Sequence, residues 1–235
     1  MSEEIPKKKK LDGRPTSNRG APGHGEKDAA LKQKVVEAAL PDAAFDGFTD
    51  AVLAKAGKSA GLEKAEIERL FPEGARSLIE AYSVAVDDEM EELLAEMDLG
   101  KMKIRQRIAA AVLARLSILK PHKEAARRAA ATLTLPMHAG LGAKLMYQTV
   151  DAMWRAAGDT ATDFNFYSKR GILAGVYGTT LVRWFNDNSD GEQVTQDFLA
   201  ARIENVMQFE KFKSNAKKTL EKFPGFTEWM KPKGK

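Results

Sequence analysis

Few residues in this chain have the types and spacing to do chemistry, and most of them resolve into structural roles. The three histidines, His24, His122 and His138, lie far apart, and none forms an i, i+3 or i+4 pair that stands out as a metal site. The Glu-x-x-His signature from which helical bundles build di-iron carboxylate sites is absent. The acid-rich run Asp87-Asp88-Glu89-Met90-Glu91-Glu92 offers carboxylates for a metal or for acid–base work. On a helix, however, Val84, Leu93, Leu94 and Met97 would make the buried stripe beside it, leaving the charges on the outer face. No Ser/His/Asp arrangement, phosphate-cradling glycine loop or Walker lysine is present, and Gly140-Leu141-Gly142 lacks the strand a dinucleotide fingerprint needs. With no cysteine, disulfides, zinc ribbons and thiol catalysis are excluded. The chain reads as one that catalyses nothing and carries neither metal nor cofactor.

Polar side chains do gather at one place. In Trp154–Leu181, WRAAGDTATDFNFYSKRGILAGVYGTTL, a Gly158-Asp159 break is followed by a Thr162-Asp163 helix-start signal. The aromatics Trp154, Phe164, Phe166 and Tyr167 surround it, with Asp159, Asp163, Asn165, Lys169 and Arg170 among them. Thr162 or Asp163 suits an N-cap. Lys169 and Arg170 either face solvent or reach back to Asp159 or Asp163. A large aromatic such as Trp154 beside a polar junction is suited to anchoring a partner protein.

The elements that position these residues are helical throughout. Helices are predicted at about 27–40, 48–57, 62–71, 73–98, 101–119, 122–133, 138–157, 163–187, 190–208 and 209–223. Pro41, Gly57, Gly61, Pro72, Gly100, Pro121, Pro136, Gly158 and Gly191 punctuate them. No alternating run predicts a strand, and no run of about 18 apolar residues predicts a membrane span. The N-terminus lacks the apolar core of a secretion signal. Residues 1–25, with Lys7–Lys10, three prolines and four glycines, are expected to be a disordered basic tail.

The first three helices, over 26–72, resemble the DNA-binding end of TetR-type repressors, with 62–71 as the recognition helix. Its chemistry opposes that use. Glu63, Glu66 and Glu68 outnumber Lys64 and Arg69, and carboxylates are repelled by a phosphate lattice that Lys and Arg must neutralise. A degenerate helix-turn-helix kept for packing is the expectation, with no nucleic acid as partner. In the core, 73–208, Leu145, Met146, Thr149 and Met153 share one face, and Ile172, Leu173, Val176 and Tyr177 another. The small residues Gly171, Ala174, Gly175 and Gly178, with flexible Met side chains, leave either a close-packed bundle or a cavity for a long apolar ligand.

Beyond it, Phe209, Phe212, Ala216, Leu220 and Phe223 form one apolar stripe flanked by lysines, followed by Phe226, Trp229 and Met230. That pattern, over 209–235, describes an amphipathic membrane-binding helix and tail, each lysine contributing on the order of 1 kcal/mol near anionic lipid. The charge agrees: residues 1–25 hold six Lys/Arg against three acids and 202–235 hold nine against four. The net +4 therefore leaves the middle acidic. Basic ends on an acidic body suit an anionic surface better than DNA.

The run AGDTATDFNFYSKRGILAGVYGTTL resembles the signature of the coenzyme Q (ubiquinone) biosynthesis accessory family, the ninth COQ protein. The likeness extends from Leu133-Thr134-Leu135-Pro136 to about Met207, and more weakly back to Lys27. The resemblance implies a TetR-like, all-α, single-domain bundle of about ten helices. It implies a non-catalytic protein that binds an isoprenoid quinone or other lipid and meets demethoxyubiquinone hydroxylase. On that basis Leu145, Met146, Thr149, Met153, Ile172, Leu173, Val176 and Tyr177 are candidate lipid contacts. Trp154, Asp159, Asp163, Asn165, Tyr167 and Arg170 are the candidate partner surface, where Arg155 stands in place of an expected aromatic. Phe209, Phe212, Leu220, Phe223, Phe226 and Trp229 are the candidate membrane contacts. The expected setting is a homodimer, cytoplasmic and peripheral on the inner membrane. The alternative is a TetR-type repressor with a lipid-responsive pocket.

Overall fold

The computed structural model describes residues 24–159 and 164–221, with backbone alone at 24, 164–166 and 209–221. Most of the basic tail, Asp163, Phe223, Phe226 and Trp229 lie outside the described residues. Asn165, Phe209, Phe212 and Leu220 are placed on helices by their backbone only. Within the described residues all regular structure is helical. The helices are α1 (His24–Asp46), α2 (Asp50–Ser59), α3 (Lys64–Leu70), α4 (Ala75–Ala95), α5 (Ile104–Leu119), α6 (Lys123–Leu133), α7 (Ala139–Ala156), α8 (Phe164–Phe185) and α9 (Gln193–Glu221). Among those residues no helix is long and apolar enough to cross a membrane.

Most boundaries follow the punctuation, with two corrections. Pro41 does not end the first helix, which continues to Asp46. The proline removes one backbone hydrogen bond at a cost of about 3 kcal/mol in a helix interior. Buried Ala39, Leu40 and Ala43 on either side keep α1 packed and offset that loss. The expected helices 190–208 and 209–223 are one helix, α9. From Gln193 to Glu221 the sequence has neither glycine nor proline to stop it.

At the N-terminal end, α2 starts at Thr49, whose Oγ1 accepts the Val52 N–H at 3.2 Å. A Cβ on Gly57 would lie 2.3 Å from Ile67 Cδ1, so α2 and α3 approach as closely as they do only because that residue is glycine. On α3 both cations are paired with carboxylates: Arg69 binds Asp28 of α1 at 2.7 and 2.9 Å, and Lys64 lies 3.7 Å from Glu68.

α1 packs along α2, α4 and α6, while α4 packs along α5 and α7; α7 meets α8, and α9 lies on α5 and α8. The α8–α9 corner is held by Asp187. Its carboxylate accepts from the Ser189 N–H and hydroxyl at 2.9 and 2.6 Å and from the Thr195 N–H and hydroxyl at 2.7 and 2.6 Å. From α6, Lys123 reaches the Asp187 carbonyl at 2.9 Å and Arg127 binds that of Phe185, placing two cations at the C-terminal end of α8.

The donors on Ser189, with those on Thr195, hold the Asp187 carboxyl well below the usual carboxylate range. A depressed pKa contributes stability in full above the unfolded value of about 3.9, and that stability is lost as pH falls through the folded value. Asp187→Ala is therefore expected to melt at lower temperature than wild type at pH 7. The gap should shrink below about pH 4, as thermal melts across that range will show.

Candidate functional site

A cavity of about 360 Å³ lies between α4, α5, α6, α7 and α8. Small residues leave this space open. α6 presents Ala126, Ala129 and Ala130 to it and Gly178 faces it from α8, while Gly142 of α7 lines it at a close approach to Leu133, where a Cβ would lie 2.8 Å from the carbonyl oxygen. Ile79, Val86, Leu119, Leu145, Met146, Leu181 and Phe185 supply apolar wall. Exposed Thr134 and Val182 stand at its rim.

One end is polar, and it is built around a charge. Arg115, 6% exposed, donates from Nε to Asp87 at 2.7 Å, from one terminal nitrogen to the Tyr177 hydroxyl at 2.5 Å and from the other to Ser83 at 3.3 Å. Thr149 donates to the same Asp87 carboxylate at 2.9 Å. Burial opposes the charge on Arg115, and Tyr177 with Asp87 outweighs it, leaving the guanidinium pKa above its ordinary value. Burial pushes the Tyr82 and Tyr177 phenols up, against the pull of Arg115, so both remain protonated. The Tyr82 hydroxyl is buried without a hydrogen-bond partner. This end can therefore bind an oxygen-bearing group. It holds no nucleophile–base pair, and no metal-binding cluster occurs among the described residues.

The eight candidate lipid contacts divide. Leu145, Met146, Thr149 and Tyr177 line the cavity. Ile172, Leu173 and Val176 line a second, apolar cavity of about 90 Å³ with Trp154, Ile203 and Val206 between α5, α7, α8 and α9. Met153 faces neither and is fully buried in the core. The small residues also divide: Gly178 faces the large cavity, whereas Gly171 and Gly175 are exposed.

In the acid run Asp88, Glu89, Glu91 and Glu92 are exposed and Leu94 is buried, as expected, but Asp87 is buried and the stripe differs. The buried stripe of α4 is Leu78, Ile79, Tyr82, Val86, Asp87, Met90 and Leu94, while Val84, Leu93 and Met97 are exposed. Asp87 points inward because Arg115 is there to meet it. The sequence signal for this pair is a single cation within the apolar run Ile108–Leu119, at Arg115, in step with Ile108, Val112 and Leu119.

At the second candidate site, Gly158 takes φ +85° and closes α7. Its N–H donates to the Arg155 carbonyl at 2.9 Å and the Asp159 N–H to that of Trp154 at 3.0 Å, the two hydrogen bonds of a Schellman turn. This aims Asp159 back at α8, where its carboxylate takes Lys169 at 2.7 Å and Arg170 at 3.4 Å. Asp151 takes Arg170 at 2.6 Å. Arg170 is 3% exposed and the Asp159 side chain 7%, so these two brace the junction rather than offer area to a partner. Trp154, half-buried, donates to the Lys169 carbonyl at 3.2 Å and stacks under its ammonium. Tyr167 is 69% exposed.

Residues 139–210 match the COQ9 family model. "Ubiquinone biosynthesis protein COQ9, mitochondrial" of Rattus norvegicus is 31% identical over 202 residues, covering 83% of this chain and 65% of that protein. The human protein of the same name is 30% identical, covering 83% and 64%. "Ubiquinone biosynthesis protein COQ9-A, mitochondrial" of Xenopus laevis is 30% identical, covering 88% and 67%. The chain thus spans about two thirds of the length of these relatives. In structure it is similar to a TetR transcriptional regulator from Nitrosomonas europaea, with a TM-score of 0.60, 18% identity and coverage of 76% of this chain and 99% of that one. The fold is therefore TetR-like.

Removing one partner of a buried ion pair leaves an uncompensated charge and destabilises by about 3–5 kcal/mol. Asp87→Leu or Arg115→Met alone should each lose about that much in urea unfolding. The double variant Asp87→Leu, Arg115→Met should recover most of the loss.

Proposed function

The chain belongs to the COQ9 family, and on that premise we propose that it serves ubiquinone biosynthesis as a non-catalytic lipid-binding protein. It takes up an isoprenoid quinone intermediate and presents it to demethoxyubiquinone hydroxylase at the membrane surface. The observation that carries this reading is the cavity of about 360 Å³, apolar along its walls and polar at one end. That volume is at the low end of ligand sites, roughly 300–1,000 Å³. It suits a ring with the first part of its tail, the rest of a long chain leaving past Val182 and Thr134.

The hydroxylase docks at the α7–α8 junction, where Trp154 and exposed Tyr167 supply aromatic surface over the braced Asp159–Arg170 network, with Asn165 in the first turn of α8 and Asp163 just before that helix in sequence. The aromatic and basic C-terminal stretch, including Phe209, Phe212, Leu220, Phe223, Phe226 and Trp229, holds the protein peripherally on the inner face of the cytoplasmic membrane. The chain works as a homodimer through its later helices. The pairing of Arg69 with Asp28 and of Lys64 with Glu68 supports this reading over a repressor, since the cations on α3 already have carboxylate partners.

Native mass spectrometry of the purified chain, followed by organic extraction, tests the proposal. A co-purifying quinone or isoprenoid is expected. An empty protein that takes up nothing from quinone-loaded vesicles would sink it. Ala130→Trp, which sets an indole into the cavity from α6, should abolish uptake while helical content by circular dichroism is retained. Tyr167→Ala should weaken capture of the hydroxylase by about 2 kcal/mol, the scale of an interface hot spot, in a titration of the two purified proteins.

A further inference from the structure

The polar end of the cavity has a charge balance that constrains its ligand further. Arg115 lines the cavity, yet its charge is met by Asp87 at 2.7 Å, and both its terminal nitrogens already donate, to Tyr177 and Ser83. The Asp87 carboxylate accepts from Arg115 and Thr149. The pair is thus neutral as a whole: each terminal nitrogen of Arg115 keeps a second N–H that a neutral oxygen can accept from, but an anion would meet a guanidinium already balanced by a carboxylate. Two phenols remain. Tyr177 accepts from Arg115, which leaves its own O–H proton to donate, and the hydroxyl of cavity-lining Tyr82 has no partner. A buried polar group without a partner costs about 1–3 kcal/mol, a penalty a ligand oxygen would relieve.

Resting on the lipid-binding reading above, we infer that this end selects a neutral head carrying carbonyl or ether oxygens, as a benzoquinone ring does, and rejects an anionic head such as a carboxylate or phosphate. Tyr82 and Tyr177 are the specificity-determining donors. An anionic head would bring an unpaired charge into a site whose one guanidinium is already matched, and burying such a charge is strongly unfavourable.

The test is a binding titration of the full chain with three probes: decylubiquinone, oleate and dodecane. Decylubiquinone should bind at least about tenfold more tightly than oleate, the effect of one uncompensated polar interaction or more. Tyr82→Phe should weaken decylubiquinone about five- to tenfold and leave dodecane unchanged, since a hydrocarbon takes no hydrogen bond. Its melting temperature should hold or rise, because the hydroxyl has no protein partner to lose. Asp87→Asn should shift the preference toward oleate by unmasking Arg115. Oleate binding as well as the quinone, or a Tyr82→Phe variant with unaltered quinone affinity, would overturn the inference while leaving lipid binding intact. A chain that binds none of the three probes would overturn the lipid-binding reading, and the inference with it.

Discussion

Arg115 carries a permanent positive charge into a largely apolar interior, and the central helices are arranged so that this charge is answered. Asp87 and Ser83 come from α4, Thr149 from α7 and Tyr177 from α8. Four helices therefore share one hydrogen-bonded node, and moving any of them separates a charge from its partner. An empty apolar space of several hundred Å³ would ordinarily favour inward collapse, since its walls lack dispersion contacts. Here the node fixes the helix spacing at one end, and the alanine face of α6 has nothing long enough to fill the gap.

The α7–α8 junction repeats the same physics two turns away along α8, where Arg170 stands seven residues before Tyr177. Arg170 is as buried as Arg115 and is met by Asp151 and Asp159. In both places a guanidinium organises an aromatic neighbourhood: Arg115 lies against the Tyr177 ring, and the Arg170 network underlies Lys169, whose ammonium sits over Trp154. The polar residues that look most functional in the one-dimensional string are thus largely architectural. What they hold together is the end of α7 and the start of α8 beside Trp154.

The helical class was legible because glycine and proline punctuate the chain with little ambiguity, and the TetR-like start because short helices and turns fall in a recognisable order. The failures share a cause. Pro41 reads as a stop, since its lost hydrogen bond is local, whereas the burial of Ala39, Leu40 and Ala43 that overrides it is tertiary. Asp87 reads as outward because carboxylates are usually solvated, and its inward turn depends on Arg115, 28 residues later in sequence. Gly171 and Gly175 looked like space for a ligand, yet they face solvent. The open volume is instead made by the alanines of α6, common helix formers that carry no mark of function. Residues 145–153 and 172–177 were found as apolar faces, but which of two cavities each face serves is a matter of helix rotation that periodicity does not encode.

α9 is a single helix of 29 residues, about 43 Å from end to end at 1.5 Å per residue. Its first turn is bound to the body through Thr195 and Asp187, and its middle contributes Ile203 and Val206 to the smaller cavity beside Trp154. Two separate helices joined by a hinge would let the far end swivel freely. An unbroken rod behaves as a lever pivoting at the Asp187 corner. Torque applied near Glu221 is delivered to the wall against which Trp154 rests, so the tip of this helix and the α7–α8 junction are mechanically a single part.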